Sequence, residues 1–237
     1  MYNRLMQNSA YQIRLCNSCG LRYPLMDGHA FGTRCPLCMG ETRLILSREL
    51  SYEPKRPTRP PGTLPKYDRQ NWIKNKKPEI VFGEGQGGAF AVLLDNIRSA
   101  WNVGSIFRSA DGFGFAHAYL CGITPTPDIE AVTKTSLGAE DSVPWSYHKD
   151  AVKLVKGLKK EGWKIWALED DERAKEIRGD PESEKHKVVL IIGSEVTGVD
   201  PELLELCDEV FYIPMRGVKK SFNVAMAFSI AAYALNG

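Results

Sequence analysis

Four cysteines near the N-terminus have the spacing of a metal site. Cys16 and Cys19 form one CxxC pair, Cys35 and Cys38 form a second, and fifteen residues separate the two pairs. Each pair can fold into a tight knuckle that directs two thiolates at one ion, so two knuckles complete a tetrahedral four-sulfur site. The pattern predicts structural Zn2+, with iron as the minor alternative. Two dithiol redox motifs are the weaker interpretation, because no thioredoxin-like βαβ pattern surrounds either pair.

Polar residues with possible catalytic or binding roles recur in three later segments. The segments are Asn102–Arg108, Gly193–Gly198 and Ile213–Asn223, and each places glycine beside polar side chains. Singly, their residues have structural explanations, such as helix packing for Gly104 or an N-cap for Ser221. In open α/β sheets, however, ligands bind at the carboxyl ends of parallel strands. Because each segment follows a predicted strand, we expect the three segments to form one site.

The elements that would position these segments alternate between strands and helices. Continuous apolar runs without period-two polarity are typical of buried parallel strands. The predicted strands span residues 90–95, 117–121, 163–168, 188–192 and 210–213. The segment 96–108 is predicted to enter a first helix that ends near residues 112–114. The other predicted helices span residues 150–161, 201–206 and 221 to nearly the chain end. This alternation predicts an α/β fold with a mostly parallel sheet.

The last predicted helix is apolar nearly all round. Its residues include Phe228, Ile230 and Leu235, and it is too short and too rich in alanine and serine to span a membrane. We therefore expect it to be buried in protein. Ser221 and Asn223 would place polar groups at the positive end of the helix dipole, where free backbone N–H groups could also hold a ligand.

Length and composition predict one large domain with a small accessory module. The chain has 237 residues, is 43% hydrophobic and carries a formal net charge of +2. No apolar run approaches the roughly eighteen residues of a membrane span, and the start shows no signal-peptide pattern, so we expect a cytoplasmic protein without membrane contact. The predicted divisions are a metal module at 1–47, a linker at 48–88 and the main domain at 89–237. Because the module is so small, the metal should supply most of its folding free energy.

The linker is rich in proline and in basic residues. Tyr52, Tyr67 and Trp72 are interleaved with the basic residues, which outnumber the acidic ones. Contact with a nucleic-acid backbone and a simple solvated linker are evenly balanced interpretations. The segment Gly83–Gly88 imitates a dinucleotide glycine fingerprint, but it precedes a strand instead of following one. A nucleotide-dependent oxidoreductase is therefore excluded.

The three polar segments together resemble a known family. Asn-x-Gly-Ser-Ile-x-Arg, Ile-Ile-Gly-Ser-Glu-x-x-Gly and Ile-Pro-Met-x-Gly-x-x-x-Ser-x-Asn-Val-Ala occur in this order, as in the SpoU/TrmH branch of the SPOUT RNA methyltransferases. The resemblance covers roughly residues 89–237, and the cysteine pattern before it resembles a zinc ribbon. It implies a C-terminal trefoil knot, an exception to the rule that chains avoid knots. It also implies methyl transfer from S-adenosylmethionine to a ribose 2′-hydroxyl of tRNA or rRNA.

The same resemblance assigns roles to individual residues. The implied catalytic set is Arg108, Asn102, Glu195, Ser221 and Asn223, and the implied cofactor cleft is lined by the backbone of Gly193, Ile213, Met215 and Phe222. Members act as homodimers, in which Arg108 of one subunit reaches the cofactor of the other. Because a guanidinium has a pKa above about 12, binding phosphate or stabilising the forming alkoxide suits Arg108 better than acting as a base.

The remaining implied roles are supporting ones. Asn102 would fix the loop of the first motif, and Glu195 would anchor either the knot or Arg108. Ser221 and Asn223 would orient either the ribose or Arg108. A catalytically inactive SPOUT-fold RNA-binding protein is the alternative, and the intact polar set favours the enzyme. The sequence does not distinguish tRNA from rRNA as the substrate.

Overall fold

The computed structural model describes residues 10–26, 32–49, 89–178, 186–215, 218 and 221–236. Within these ranges the chain forms a small antiparallel sheet followed by a large parallel one. Almost all of the predicted linker, including the Gly83–Gly88 segment, lies outside the described residues.

The N-terminal sheet has three antiparallel strands. They are β1 (Ala10–Cys16), β2 (Arg22–Met26) and β3 (Thr42–Glu49), in the order β2-β1-β3. Among the described residues, the apolar cluster of this sheet has five buried members, and Tyr11 and Ile13 of β1 are buried as well; the cluster consists of Cys16, Leu21, Tyr23, Leu25 and Cys35. A core of this size stabilises a fold only weakly.

The second sheet has seven parallel strands in the order β6-β5-β4-β9-β7-β10-β8. The strands are β4 (Ala89–Asp95), β5 (His117–Cys121), β6 (Trp145–His148), β7 (Lys164–Leu168), β8 (Lys175–Glu176), β9 (Lys187–Ile192) and β10 (Glu209–Tyr212). The helices are α1 (Ala100–Gly112), α2 (Glu130–Ser136), α3 (Ala139–Ser142), α4 (Ala151–Lys160), α5 (Pro201–Leu206) and α6 (Val224–Asn236). The predicted α/β class with a mostly parallel sheet is confirmed.

Two layers of helices cover the sheet, one on each face. On one face α1 and α6 enclose apolar residues that include Phe107, Leu190 and Phe228. On the other face α4 and α5 enclose a second apolar cluster that includes Val155 and Leu203. Because both faces of β4 and β9 are covered, these strands are continuous apolar runs rather than alternating ones.

Helix α1 begins within the segment that was predicted to enter it. Asn96, at the start of that segment, has a positive φ of 57°, which lies outside the right-handed helical region. Ser99 is the N-cap, and its side chain accepts a hydrogen bond from the Asn102 N–H. The four residues after β4 therefore form a loop at the carboxyl edge of the sheet.

Within this chain, the expected burial of α6 holds for one of its faces and not for the other. Phe228 and Leu235 are buried, but Met226 and Tyr233 are 58% and 66% exposed. Trp101 of the neighbouring helix α1 is likewise 57% exposed. In the single chain these two helices therefore leave large apolar side chains in contact with water. None of the helices in the described ranges has the length and apolar character needed to cross a membrane.

Candidate active site and metal centre

Glu195 joins the loop after β9 to the start of α1. Its Oε1 accepts hydrogen bonds from Asn102 Nδ2 at 2.8 Å and from the Ser99 N–H at 3.2 Å. Its Oε2 accepts one from the Arg98 N–H at 2.9 Å. The carboxylate thus satisfies two backbone N–H groups that precede the first turn of the helix, where negative charge is favourable. Glu195 is therefore held by three hydrogen bonds and is not a free surface charge.

Asn223 connects the third segment to the other two. Its Nδ2 donates to Asn102 Oδ1 at 3.1 Å, and its Oδ1 accepts from the Ala225 N–H at 3.0 Å. Asn223 is therefore the capping residue of α6, and the interpretation of Ser221 as the N-cap is wrong. Ser221 is exposed one turn earlier in the chain. One hydrogen-bond chain consequently runs from Glu195 through Asn102 to Asn223, with one residue from each segment.

Arg108 is exposed on α1, two turns beyond Asn102. It makes no hydrogen bond or ion pair with any residue in the described part of the chain, including Glu195. Its side chain lines a cavity of about 620 Å³, which lies between α1 and the segment Ser136–Ser142. Asp111 and Asp141 line the same cavity. An unpaired guanidinium beside a cavity of this size can meet a phosphate or a developing oxyanion.

The loop after β9 is held tightly by its own backbone. Ser194 and Gly198 exchange two backbone hydrogen bonds of 3.0 and 2.9 Å. Gly193 has no room for a Cβ, because the backbone of Gly198 and Val199 lies directly against it. The Val199 N–H donates to Glu169 Oε2 at 2.8 Å, and burial raises the pKa of the Glu169 carboxyl. The predicted cofactor-contacting backbone at Gly193 therefore belongs to a rigid turn.

The other predicted cofactor residues surround the end of β10. Ile213 is half-buried and packs against the main core, and Met215 is half-buried beyond it. Phe222 is 38% exposed just before α6. These three apolar residues are called the apolar border below. Residues 216, 217, 219 and 220 of the same segment lie outside the described residues.

The four predicted metal ligands converge on one point. The sulfur atoms of Cys16, Cys19, Cys35 and Cys38 all lie within 4.8 Å of one another. Two of the separations are 3.5 and 3.7 Å. In a tetrahedral zinc site with Zn–S bonds of 2.3 Å, neighbouring sulfurs are separated by about 3.8 Å, so the cluster fits a four-thiolate zinc site.

Local hydrogen bonds favour the thiolate form of Cys16, whereas burial raises the pKa of the Cys19 thiol to about 12 and also raises the pKa of the Cys35 thiol. Although burial acts in the opposite direction, the backbone N–H groups of Cys19 and Ser18 lower the pKa of the Cys16 thiol to about 6. The N–H group of Cys19 lies 3.4 Å from the Cys16 sulfur. Thiolates are the ligating species, so this geometry suits metal binding.

Sequence reasoning missed a group of buried charged residues beside the three polar segments. Arg22 of the metal module forms an ion pair with Asp200, and Asp95 at the end of β4 accepts a hydrogen bond from the Asp200 N–H. Burial and the nearby Asp200 charge raise the pKa of Asp95 to about 7. Asp200 before Pro201 carried a helix-start signal, but nothing in the sequence pointed to Arg22 as its partner.

Comparison with known proteins identifies relatives of the main domain. The model of the SpoU rRNA Methylase family matches residues 89–233, more than half of the chain. A tRNA (guanosine(18)-2'-O)-methyltransferase of Thermus thermophilus is 31% identical over 142 residues, which cover 60% of this chain and 71% of that enzyme. The 23S rRNA (guanosine(2553)-2'-O)-methyltransferase RlmP of Bacillus subtilis is 32% identical over 148 residues, covering 62% of this chain and 57% of that enzyme.

A solved structure supports the same fold. The SpoU methyltransferase AviRb from Streptomyces viridochromogenes, crystallised in complex with AdoMet, aligns with a TM-score of 0.54 at 24% identity. The alignment covers 62% of this chain and 58% of that one. The residues before 89, which include the metal module, lie outside the matched family model.

Proposed function

The chain belongs to the SpoU rRNA methylase family, and from that premise we propose that it transfers a methyl group from S-adenosylmethionine to a ribose 2′-hydroxyl of tRNA or rRNA. The observation that carries the proposal is the hydrogen-bond chain through Glu195, Asn102 and Asn223, which joins all three family segments. The two enzymes named above are 2′-O-methyltransferases of tRNA and of rRNA. The alternative of a catalytically inactive RNA-binding protein finds no support in these similarities.

The proposed cofactor site lies between the rigid turn at Gly193 and the apolar border at Ile213, Met215 and Phe222. Backbone groups of the turn would bind the polar parts of S-adenosylmethionine, and the border would cover its adenine and thioether portions. We propose that the C-terminal part of the main domain contains the trefoil knot that the family resemblance implies. This cleft would direct the sulfonium methyl group towards the Asn102–Asn223 pair.

Arg108 is proposed as the catalytic residue. The 2′-hydroxyl must lose its proton as it attacks the methyl group in line, so negative charge develops on the ribose oxygen. A cation that carries no competing ion pair can stabilise this charge, and Arg108 has no described partner. Asn102 and Asn223 hold the neighbouring backbone in place, so the arrangement acts mainly through positioning and electrostatics.

A homodimer is proposed from the exposed apolar side chains of α1 and α6. Trp101 and Arg108 are seven residues apart and therefore lie on one face of α1. Met226 and Tyr233 have the same spacing on α6, which packs against α1. If a second copy covers these side chains, Arg108 enters the interface and can reach the partner's cofactor cleft. Burying this apolar surface would also remove its contact with water.

The metal module and the basic linker are proposed to bind RNA. Arg34 and Arg43 are exposed on the module and Arg48 is exposed at the start of the linker, where they can contact phosphates without sequence preference. Replacing Arg43 and Arg48 together by alanine should weaken binding to tRNA or rRNA and reduce its salt dependence. Filter binding at several salt concentrations measures both quantities. Unchanged affinity with an unchanged salt slope would assign the module no part in RNA binding.

Methyl transfer itself is the deciding experiment. Purified protein is incubated with radiolabelled S-adenosylmethionine and either total tRNA or total rRNA, and the RNA is digested to nucleosides for mass spectrometry. A 2′-O-methylnucleoside is expected with the wild type. In Arg108→Ala its rate of formation should fall by about a hundredfold or more, as for other groups that stabilise an oxyanion. Arg173→Ala removes an exposed arginine that pairs with Asp171 and is the matched control. Equal rates for all three proteins would refute the role of Arg108.

A further inference from the structure

Arg22 of the metal module forms a buried ion pair with the main domain. Its Nε donates to Asp200 Oδ2 at 2.7 Å, and its Nη2 donates to Asp200 Oδ1 at 3.0 Å. The two side chains are only 7% and 3% exposed. Arg22 follows Cys19 by three residues, so its side chain extends from the segment directly after the first cysteine pair. Two parallel charge-assisted hydrogen bonds of this kind fix orientation as well as distance.

Backbone contacts dock the same residue at the carboxyl edge of the large sheet. The Arg22 N–H donates to the carbonyl oxygen of Lys149, just beyond β6, at 2.9 Å. The Arg22 carbonyl oxygen lies against Gly122, just beyond β5, where a Cβ would meet it at 2.8 Å. Ile123 packs against the apolar core of the module. The module is therefore seated on the edge of the sheet that also carries the candidate active site.

Asp200 is in turn hydrogen-bonded to two further elements, β4 and α5. Its N–H donates to Asp95 Oδ2 at 3.1 Å, and its Oδ1 accepts from the Glu202 N–H at 2.9 Å, which caps α5. Asp95 and Asp200 are both buried. Arg22 is the counter-charge of Asp200, and although burial raises the pKa of the neighbouring Asp95, the positive charge of Arg22 acts to lower that pKa. It also contacts Glu202 at 3.2 Å. Loss of the guanidinium would leave two neighbouring buried carboxyl groups without compensation.

Asp200 also ends the rigid turn that begins at Gly193. The backbone of Gly198 and Val199 packs on Gly193, and the Val199 N–H is held by Glu169. The turn is thus fixed at Glu195 by the start of α1 and at Asp200 by Arg22. Val199 directly precedes Asp200 in the chain, and its backbone packs on Gly193. A displacement of Asp200 would therefore be transmitted to Gly193, because close-packed backbone cannot absorb it.

We propose that Arg22 is a positioning residue for the turn at residues 193–200, so that the metal module, docked through the Arg22–Asp200 ion pair, holds the cofactor-binding backbone in its working geometry. This inference rests on the proposed function, because it assigns S-adenosylmethionine to that turn. It assigns the module a role within the active site in addition to the proposed contact with RNA.

Cofactor affinity tests the proposal without an RNA substrate. Binding of S-adenosylmethionine to the full-length, zinc-loaded protein is measured by isothermal titration calorimetry. Arg22→Ala should raise the dissociation constant by about tenfold or more, since small displacements of a binding backbone are costly. Arg22→Lys keeps the charge but not the paired hydrogen bonds, so its dissociation constant should lie between those of the wild type and Arg22→Ala. Lys156→Ala is the control. It removes the exposed ion pair between Lys156 of α4 and Glu202 of α5, the helix that Asp200 caps, and should leave the affinity unchanged.

A second substitution separates positioning from general loss of stability. In Arg22→Ala/Asp200→Asn the uncompensated charge is gone and the amide oxygen can still cap α5, so cofactor affinity should recover in part. Hydrogen exchange of the amides of residues 193–200 should be faster in Arg22→Ala and slower again in the double variant. Zinc content and circular dichroism confirm that each protein is folded.

Each outcome decides one question. Affinity and exchange in Arg22→Ala that match the wild type would overturn the positioning role while leaving the proposed methyltransferase intact. If Arg22→Ala does not fold, the Arg22→Lys affinity decides, and a wild-type value overturns the role. Failure of the wild type to bind S-adenosylmethionine would overturn the proposed function and, with it, this inference.

Discussion

At the residue scale, Asn102 is the centre of the candidate site because it bonds to Glu195 and Asn223 at once. Replacing it by alanine removes both hydrogen bonds and separates the three segments. We expect kcat for methyl transfer to fall by about a hundredfold, because the reacting groups lose their alignment. The free energy of unfolding should fall by only about 1 kcal/mol, since the site is partly exposed.

Steady-state kinetics and urea unfolding of the same preparation check both parts of this prediction. Lys134→Ala removes an exposed ion pair with Glu130 on α2 and serves as the control that should change neither quantity. A loss of stability large enough to explain the loss of activity would instead assign Asn102 a structural role.

The buried carboxyl group of Asp95 makes stability depend on pH. Burial and the Asp200 charge raise its pKa from 3.8 to about 7 in the folded protein. Between these values the folded chain holds a proton that the unfolded chain has lost. This contribution to stability is therefore complete below about pH 4, falls as the pH rises, and is exhausted above about pH 7. The raised pKa of Glu169 acts in the same direction.

The Asp95→Asn variant isolates this contribution. Urea unfolding at pH 5.5 and pH 8 gives the change in the free energy of unfolding for the wild type and the variant. The wild type should lose more stability than the variant over this interval, while effects of Glu169 and of the cysteine cluster are common to both. Identical changes in the two proteins would contradict a raised pKa at Asp95.

At the element scale, Gly104 allows α1 to lie directly on α2. A Cβ at this position would overlap the side chain of Thr135 and the carbonyl oxygen of Val132, and it would approach the Ser136 N–H group at 2.8 Å. Gly104→Ala should therefore separate the helices and lower the free energy of unfolding by about 1–3 kcal/mol. Activity should fall as well, because Ser136 and Arg108 line the same cavity.

Gly157→Ala is the matched control for this substitution. Gly157 lies inside α4 with no atom within 4 Å of its would-be Cβ, so alanine should raise the free energy of unfolding by about 0.5–1 kcal/mol. Urea unfolding of both variants measures the two effects. A stabilising effect at Gly104 would show that the helices tolerate a wider separation.

The elements themselves were the most predictable part of this chain. Buried parallel strands such as β4 and β9 are apolar throughout, and helix α4 has Asp150 as a capping residue, so their positions follow from local pattern. The start of α6 was missed because Ser221 and Asn223 are both good caps, and only the contact with Asn102 selects Asn223.

The tertiary partners of charged residues were not predictable in the same way. Arg22 and Asp200 are separated by 178 positions, and their pairing depends on how the metal module docks. The convergence of the three polar segments was predictable because the carboxyl ends of parallel strands share one edge. Which side chains then bond to each other is decided by rotamers and loop conformations that no spacing encodes.

At the scale of the whole molecule, the proposed dimer would place Arg108 of one subunit at the cofactor cleft of the other. Arg108→Ala lacks the proposed catalytic cation, whereas Gly193→Ala disturbs the proposed cofactor-binding turn, where no Cβ fits. Each variant alone should be inactive as a homodimer. In a heterodimer of the two, the intact cleft of one subunit meets the intact Arg108 of the other, which restores one of the two sites.

Mixing the two inactive variants therefore distinguishes action across the interface from action within one chain. After unfolding and refolding together in equal amounts, half of the dimers should be mixed, and activity should recover to about a quarter of the wild-type value. If Arg108 serves the cleft of its own chain, no mixture regains activity.

Tyr233→Asp adds an independent check, because a charge on the exposed face of α6 should shift the protein to a monomer in light scattering and abolish the recovery. A fully active monomer would exclude a shared site.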